Sequence, residues 1–185
     1  TEALEHFEAA AAVLAADPRH AADYLRLQVA LARVLTEKSE YVRARDAAEK
    51  AVDFLEAHFR NTAPWRRLKA VTLNRLGNTR AALSRFPEAL KAYEASAQEF
   101  RSFPDSLEKG GFYCNLARLY LTVADYRRAE RYFRMTSRIA RSLGARELLG
   151  LTEINRGVLC LYQWDLAAAE EHLAAGIALS ESAGS

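Results

Sequence analysis

Apolar side chains return every third or fourth residue along almost the whole chain, the period of a helix that buries one face. In the stretch YRRAERYFRMTSRIARSL, for example, Tyr126, Ala129, Phe133, Ala140 and Leu143 share one side and are expected in the core. No segment alternates with the period of a strand. Pro18, Pro64, Pro87 and Pro104 interrupt the pattern where a helix should start or stop, because proline is tolerated in a first turn and disruptive further in. Thr62 and Asp105 are expected N-caps, and Gly144 a C-terminal stop. The pattern predicts nine helices, at about 2–16, 21–37, 41–59, 63–83, 87–101, 105–123, 126–143, 146–162 and 165–181. Their short connections make each helix antiparallel to the one before it.

The same pattern repeats. The segments LARVLTEKSEYVRARDAAEKA, LGNTRAALSRFPEALKAYEAS, LARLYLTVADYRRAERYFRMT and RGVLCLYQWDLAAAEEHLAAG begin at Leu31, Leu76, Leu116 and Arg156. A small residue comes second in each: Ala32, Gly77, Ala117 and Gly157. A large apolar one follows at Tyr41, Phe86, Tyr126 and Leu166, and then an alanine at 44, 89, 129 and 169. The opening EALEHFEAAAAVLAADP fits the second half of the unit, with Ala3 in the alanine slot and Phe7 four later. Small residues at two slots let the helices of a hairpin approach closely. One hairpin cannot bury its apolar face alone, so hairpins must stack.

Leu76-Gly77, Ala89 with Tyr93, Leu116-Ala117 with Tyr120, and Ala129 with Phe133 together resemble the tetratricopeptide repeat family. The resemblance implies an all-α, right-handed superhelical solenoid of antiparallel helix hairpins. On that reading residues 1–185 are a single domain. Residues 1–18 are the second helix of a truncated repeat, and 21–60, 63–102, 105–144 and 146–182 are helix pairs. The spacing of about 40 exceeds the family's usual ~34 and is similar to that in bacterial regulatory proteins. Because the chain starts in half a repeat and no polar helix follows Ala178-Leu179, it is expected to be part of a longer array, or to cover its ends by homo-oligomerisation.

Composition narrows the class further. Half the residues are hydrophobic and 27% are charged, which excludes a disordered chain. No apolar run approaches the ~20 residues of a membrane span, so no membrane association is expected. Alanine makes up about a fifth of the chain, and Leu, Arg and Glu are abundant, all strong helix formers. A net charge of +2 implies no general affinity for polyanions, and nucleic acid is disfavoured as a partner. Cys114 and Cys160 form no C-x-x-C and read as reduced thiols of a cytoplasmic protein.

Catalytic motifs are missing from the sequence. The histidines at 6, 20, 58 and 172 never pair at i,i+4, and there is no H-E-x-x-H, G-x-S-x-G or phosphate loop. His172 follows Glu170 and Glu171, but no second His or Cys joins them, so a solvated helix face is expected there. Gly110-Gly111 lies inside an expected helix and either permits a close backbone approach or loosens that helix's first turns. A non-catalytic protein without metal or cofactor is the resulting expectation.

Two surfaces could bind a partner. Residues flanking the Leu-Gly slots should line the inner face: Arg33, Asn78 and Arg118 after the small residue, Arg75, Asn115 and Asn155 before the leading one, and Asn74 close by. Asn can pair with both N–H and C=O of an extended peptide. The resemblance implies peptide binding at the slots of Asn78 and Asn115, although Asn74 stands where carboxylate-gripping relatives have Lys. The expected groove is therefore Arg33, Asn74, Asn78, Asn115, Arg118 and Asn155, with a protein or peptide of acidic character as partner. The second surface is a ridge of Arg127, Arg131, Arg134, Arg138 and Arg141, which at ~100° per residue fall within an arc of about 80°. The sequence thus predicts a protein-interaction scaffold, with the ligand- or peptide-sensing arm of a bacterial transcription regulator as the alternative.

Overall fold

The computed structural model describes residues 20–58 and 62–183, together with positions 6, 9, 10 and 13, which are helical. The remainder of the expected first helix, with Ala3 and Phe7, lies outside the described residues, as does Pro18. Eight long helices are present among the described residues: α1 (Ala21–Glu37), α2 (Tyr41–His58), α3 (Ala63–Ala82), α4 (Phe86–Phe100), α5 (Leu107–Thr122), α6 (Tyr126–Ser142), α7 (Arg146–Tyr162) and α8 (Leu166–Ala183). Each begins and ends within two residues of its expected position. No strand occurs among the described residues, and no described helix is long and apolar enough to cross a membrane.

The chain divides into two compact units, Thr1–Phe103 and Pro104–Ser185. In the first, α1 pairs with α2 and α3 with α4, while α3 also packs on both α1 and α2. Leu31, Ala32 and Leu35 meet Ala44, Ala47 and Ala48 across the α1–α2 hairpin, and Leu76 and Ala92 of the next hairpin complete that cluster. A second cluster joins Leu25, Ala51 and Leu55 to Trp65 and Leu68 at the start of α3. The second unit repeats the plan: α5 pairs with α6, α7 with α8, and α7 packs on α5 and α6.

The repeated small residues explain the close hairpins. Ala44, Ala89, Ala129 and Ala169 are all buried, as are Ala32 and Ala117. At Gly77 an added Cβ would lie 2.5 Å from the Tyr93 ring, and at Gly157 it would lie 2.6 Å from Leu173. A side chain sixteen residues on therefore fills the space that the small slot leaves. Burying one such side chain, as at Phe133, is worth about 1.5–3 kcal/mol. A hydroxyl latches the α3–α4 hairpin, where Ser96 Oγ donates to the Ala70 carbonyl at 2.7 Å; its counterpart Thr136 Oγ1 donates to the Tyr132 carbonyl of its own helix at 3.0 Å and lies 3.4 Å from that of Gly110. Gly110 is also the close approach expected of the glycine pair, since its Cβ would meet Leu148 of α7 at 2.8 Å; Gly111 faces open space.

Pro64 and Pro87 sit in the first turns of α3 and α4. Thr62 occupies an N-cap position without a side-chain cap bond. The cap of α5 is Ser106, which accepts from the Lys109 amide, rather than the expected Asp105; Asp105 pairs instead with the Lys109 ammonium at 3.1 Å. Gly144 takes the left-handed conformation after α6 (φ 64°). Ser39, Ser84, Ala124 and Trp164 take it too, one in each turn inside a hairpin. At each, the next amide reaches back five residues, as Glu40 N does to the Leu35 carbonyl and Asp125 N to that of Tyr120. Leu143, expected in the core, is exposed at the end of α6.

Candidate functional site

The expected groove residues fall three to each unit. In the first unit Arg33 is exposed on α1 and forms an ion pair with Glu37 one turn on, at 3.6 Å. Asn74 and Asn78 are half-buried on α3. Asn78 Oδ1 accepts a hydrogen bond from the Tyr93 hydroxyl of α4, which leaves its amide NH2 to donate. Asn74 Oδ1 is buried without a partner in the protein.

Arg75 stands between these two asparagines. Its Nε is buried and unpaired, and the guanidinium has no carboxylate within ion-pair distance among the described residues. Burial, and after it the nearby Arg33 charge, hold Arg75 below its ordinary pKa, against the opposing pull of Glu37. Leaving such a donor unpaired costs about 1–3 kcal/mol, more for a charged group. Gln28 Oε1 on α1 and Thr72 Oγ1 on α3 are likewise buried and unpaired. A polar anion would relieve the Arg75 donor and offset its charge at once.

The second unit treats its polar groups differently. Asn155 Nδ2 donates to the Leu151 carbonyl at 2.8 Å and approaches the Cys114 sulfur at 3.9 Å. Asn115 is half-buried on α5, and Arg118 is exposed one turn past Cys114. Glu153 of α7 is buried, yet Ser137 and Arg141 of α6, Arg156 of α7 and His172 of α8 all reach its carboxylate, at 2.8–3.3 Å. His172 is therefore held by Glu153 instead of standing on a solvated face beside Glu170 and Glu171. Both thiols are raised in pKa, Cys114 by burial and Cys160 by burial and then the Asp165 and Glu130 carboxylates, so neither is activated as a nucleophile.

All five ridge arginines of α6 are exposed. Arg134 pairs with Glu130 at 2.7 Å and Arg141 with Glu153 at 3.3 Å, whereas Arg127, Arg131 and Arg138 have no ion-pair partner among the described residues. These are solvated charges on long side chains, where each contact is worth at most ~1 kcal/mol.

Sequence reasoning placed Arg75 on the inner face without marking it as buried and unpaired, and it passed over Gln28 and Glu153. Counted from the repeat starts, Gln28, Leu73, Tyr113 and Glu153 share one position. Two polar members in an otherwise apolar column were the available signal.

The architecture is that of stacked helix hairpins, which present extended binding surfaces. The tetratricopeptide repeat model matches residues 68–142. Among solved structures, the chain is similar to BtubC (BKLC) from P. vanneervenii, with TM-score 0.78 and 17% identity over 97% of this chain and 74% of that one. It is also similar to RapI in its apo form, with TM-score 0.72 and 15% identity over 96% of this chain and 76% of that one. At these identities the likeness shows the fold, an all-α solenoid of antiparallel hairpins. No curated protein is significantly similar in sequence. Residues 68–142 thus match the tetratricopeptide repeat family, and the chain as a whole shares that fold.

Proposed function

We propose that this chain is a non-catalytic protein-interaction scaffold whose inner-face helices take an extended peptide segment of acidic character. The observation that carries the proposal is Arg75, a half-buried side chain with a buried, unpaired Nε, flanked by Asn74 Oδ1 and the free amide of Asn78. A carboxylate of the segment would pair with Arg75 and be attracted by Arg33, while Asn74 and Asn78 would hydrogen-bond its backbone. Asn115, Arg118 and Asn155 are the corresponding inner-face residues of the second unit. Because these side chains stand on packed helices, little freedom is lost on binding.

Titration calorimetry with an unstructured Asp/Glu-rich decapeptide tests this reading. Arg75→Met is expected to weaken binding by about tenfold or more, the equivalent of one charged hydrogen bond. Asn78→Ala should weaken it less, and the ridge double Arg131→Ala with Arg138→Ala least of all. A ridge double that outranks Arg75→Met, with both variants folded, would move the site to the outer face.

A further inference from the structure

Two outer helix faces, one in each unit, carry opposite charge at the same repeat positions. Counted from the alanines Ala129 and Ala44, the arginines Arg131, Arg134, Arg138 and Arg141 of α6 correspond to Asp46, Glu49, Asp53 and Glu56 of α2. All four positions are cationic in one helix and anionic in the other. The repeat itself imposes no charge there. The same positions hold Lys91, Glu94, Gln98 and Arg101 on α4, and Ala174 and Ala178 are among them on α8.

The two ridges share one geometry. At ~100° per residue each set falls within an arc of about 80° opposite its alanine, along about 15 Å of helix. The buried residues, such as Ala47, Ala51 and Leu55 of α2 and Phe133, Thr136 and Ala140 of α6, lie on the other side. Both helices lie between neighbours already in place. α1 and α3 pack on α2, and α5 and α7 pack on α6, so these are not faces that a further repeat would cover. The four arginines are exposed, as are Asp53 and Glu56, while Asp46 and Glu49 are half-exposed. Asp46 pairs with Arg45, and Glu49 with Arg80 at 3.2 Å. Asp53, Glu56, Arg131 and Arg138 have no ion-pair partner among the described residues.

We infer that the two ridges pair between copies of this chain, with α6 of one protomer lying along α2 of another. Steps of three, four and three residues read the same in both directions. With the helices antiparallel, the direction that their dipoles favour, Asp46 meets Arg141, Glu49 meets Arg138, Asp53 meets Arg134 and Glu56 meets Arg131. A second copy is the occupant singled out by charge complementarity, because the matching pattern stands on the chain itself. An unstructured acidic peptide would first have to be ordered to match that spacing, which the helix α2 already holds. Like ridges repel, so each contact joins α2 to α6. These are exposed ion pairs, weak one by one and screened by salt, so association belongs to high protein concentration and low ionic strength. The ridges include none of the residues around Arg75, and the inference does not depend on that reading.

Light scattering of the full chain tests it. At about 20 mM salt the average mass should rise with protein concentration up to about 0.5 mM, and at about 0.5 M salt it should return to that of the monomer. Asp53→Lys with Glu56→Lys, or Arg131→Glu with Arg134→Glu, sets two repelling pairs against two attracting ones. Each double, checked for folding by circular dichroism, should weaken association by at least about tenfold. Mixing the two doubles in equal amounts aligns every charge with its opposite and should restore association to within about threefold of the wild type. A monomeric wild type under the low-salt conditions overturns the inference and leaves the ridges to other partners. So does association that neither salt nor the doubles weaken, since it would belong to another surface, and so does a mixture that stays monomeric.

Discussion

Equivalent repeat positions meet opposite fates in the two units. Gln28 and Glu153 both stand three residues before a repeat start, and both are buried. Glu153 receives four side chains, while Gln28 Oε1 is left unpaired. Thr72 and Thr152 are another matched pair: Thr152 Oγ1 donates to the Leu148 carbonyl at 2.6 Å, and Thr72 Oγ1 has no partner. At the position of Asn155, which folds back on its own helix, the first unit has Arg75 with a free Nε. The buried side-chain atoms without a hydrogen-bond partner among the described residues all belong to the first unit. One repeat framework thus uses its buried polar groups in two ways. In the second unit Glu153 joins α6, α7 and α8, and in the first four buried polar atoms have no partner in the protein. The difference rests on which side chains surround the position, since Arg141, twelve residues before Glu153, Arg156, three after, and His172, nineteen after, have no counterparts that reach Gln28.

The largest effect should come from breaking the satisfied side of this contrast. Glu153→Leu removes the acceptor shared by Arg141, Arg156 and His172, and is expected to cost about 3 kcal/mol. Hydrogen exchange resolved by segment should show the loss in α6–α8 and leave α1–α4 unchanged. Ala89→Leu and Ala129→Leu overpack one hairpin in each unit and should each cost about 1–3 kcal/mol in urea unfolding, confined to that unit. Melting of both variants like the wild type would contradict the hairpin register. Ser84→Gly and Ala124→Gly relieve a left-handed conformation and should each stabilise by about 0.5–1 kcal/mol.

A smaller, pH-dependent effect separates the units further. Burial opposes ionisation of Glu99, but hydrogen bonds from Lys69 at 2.9 Å and Arg66 at 3.0 Å outweigh it, so its pKa is lowered. A depressed folded-state pKa means that this stabilisation is complete above the unfolded value near 4.5 and is lost as pH falls through the folded value. Glu99→Gln should flatten the acid limb of first-unit stability and leave that of the second unit as it was.

The hairpins were legible in the sequence because the small-residue columns at Ala32, Gly77, Ala117 and Gly157 follow directly from how closely two helices must approach. The turns were less so. Ser39, Ser84, Ala124 and Trp164 adopt left-handed φ without a glycine to announce it, since the packing of the flanking helices sets the backbone there. Ser106 displaced Asp105 as a cap because the two adjacent candidates differ only in register. The inner-face positions could be counted from the repeat, so Arg33, Asn74, Asn78 and Arg75 were all in view. That the Nε of Arg75 would be buried and unpaired could not be read, because it depends on which groups the neighbouring helices bring to it. Leu143 was misplaced for a similar reason: helical periodicity assigns a side, but at a helix end the side need not be covered.

The central claim is that the first unit keeps its inner-face charge for a partner and not for its own stability. Thermal unfolding of Arg75→Met without ligand tests it most directly. Because the half-buried Arg75 keeps a buried Nε without a partner, replacing it with an apolar side chain of similar length should raise the midpoint by about 2–4 °C, the equivalent of roughly 1 kcal/mol. A midpoint that falls by a similar amount would mean that Arg75 holds the fold together, and the account would be wrong.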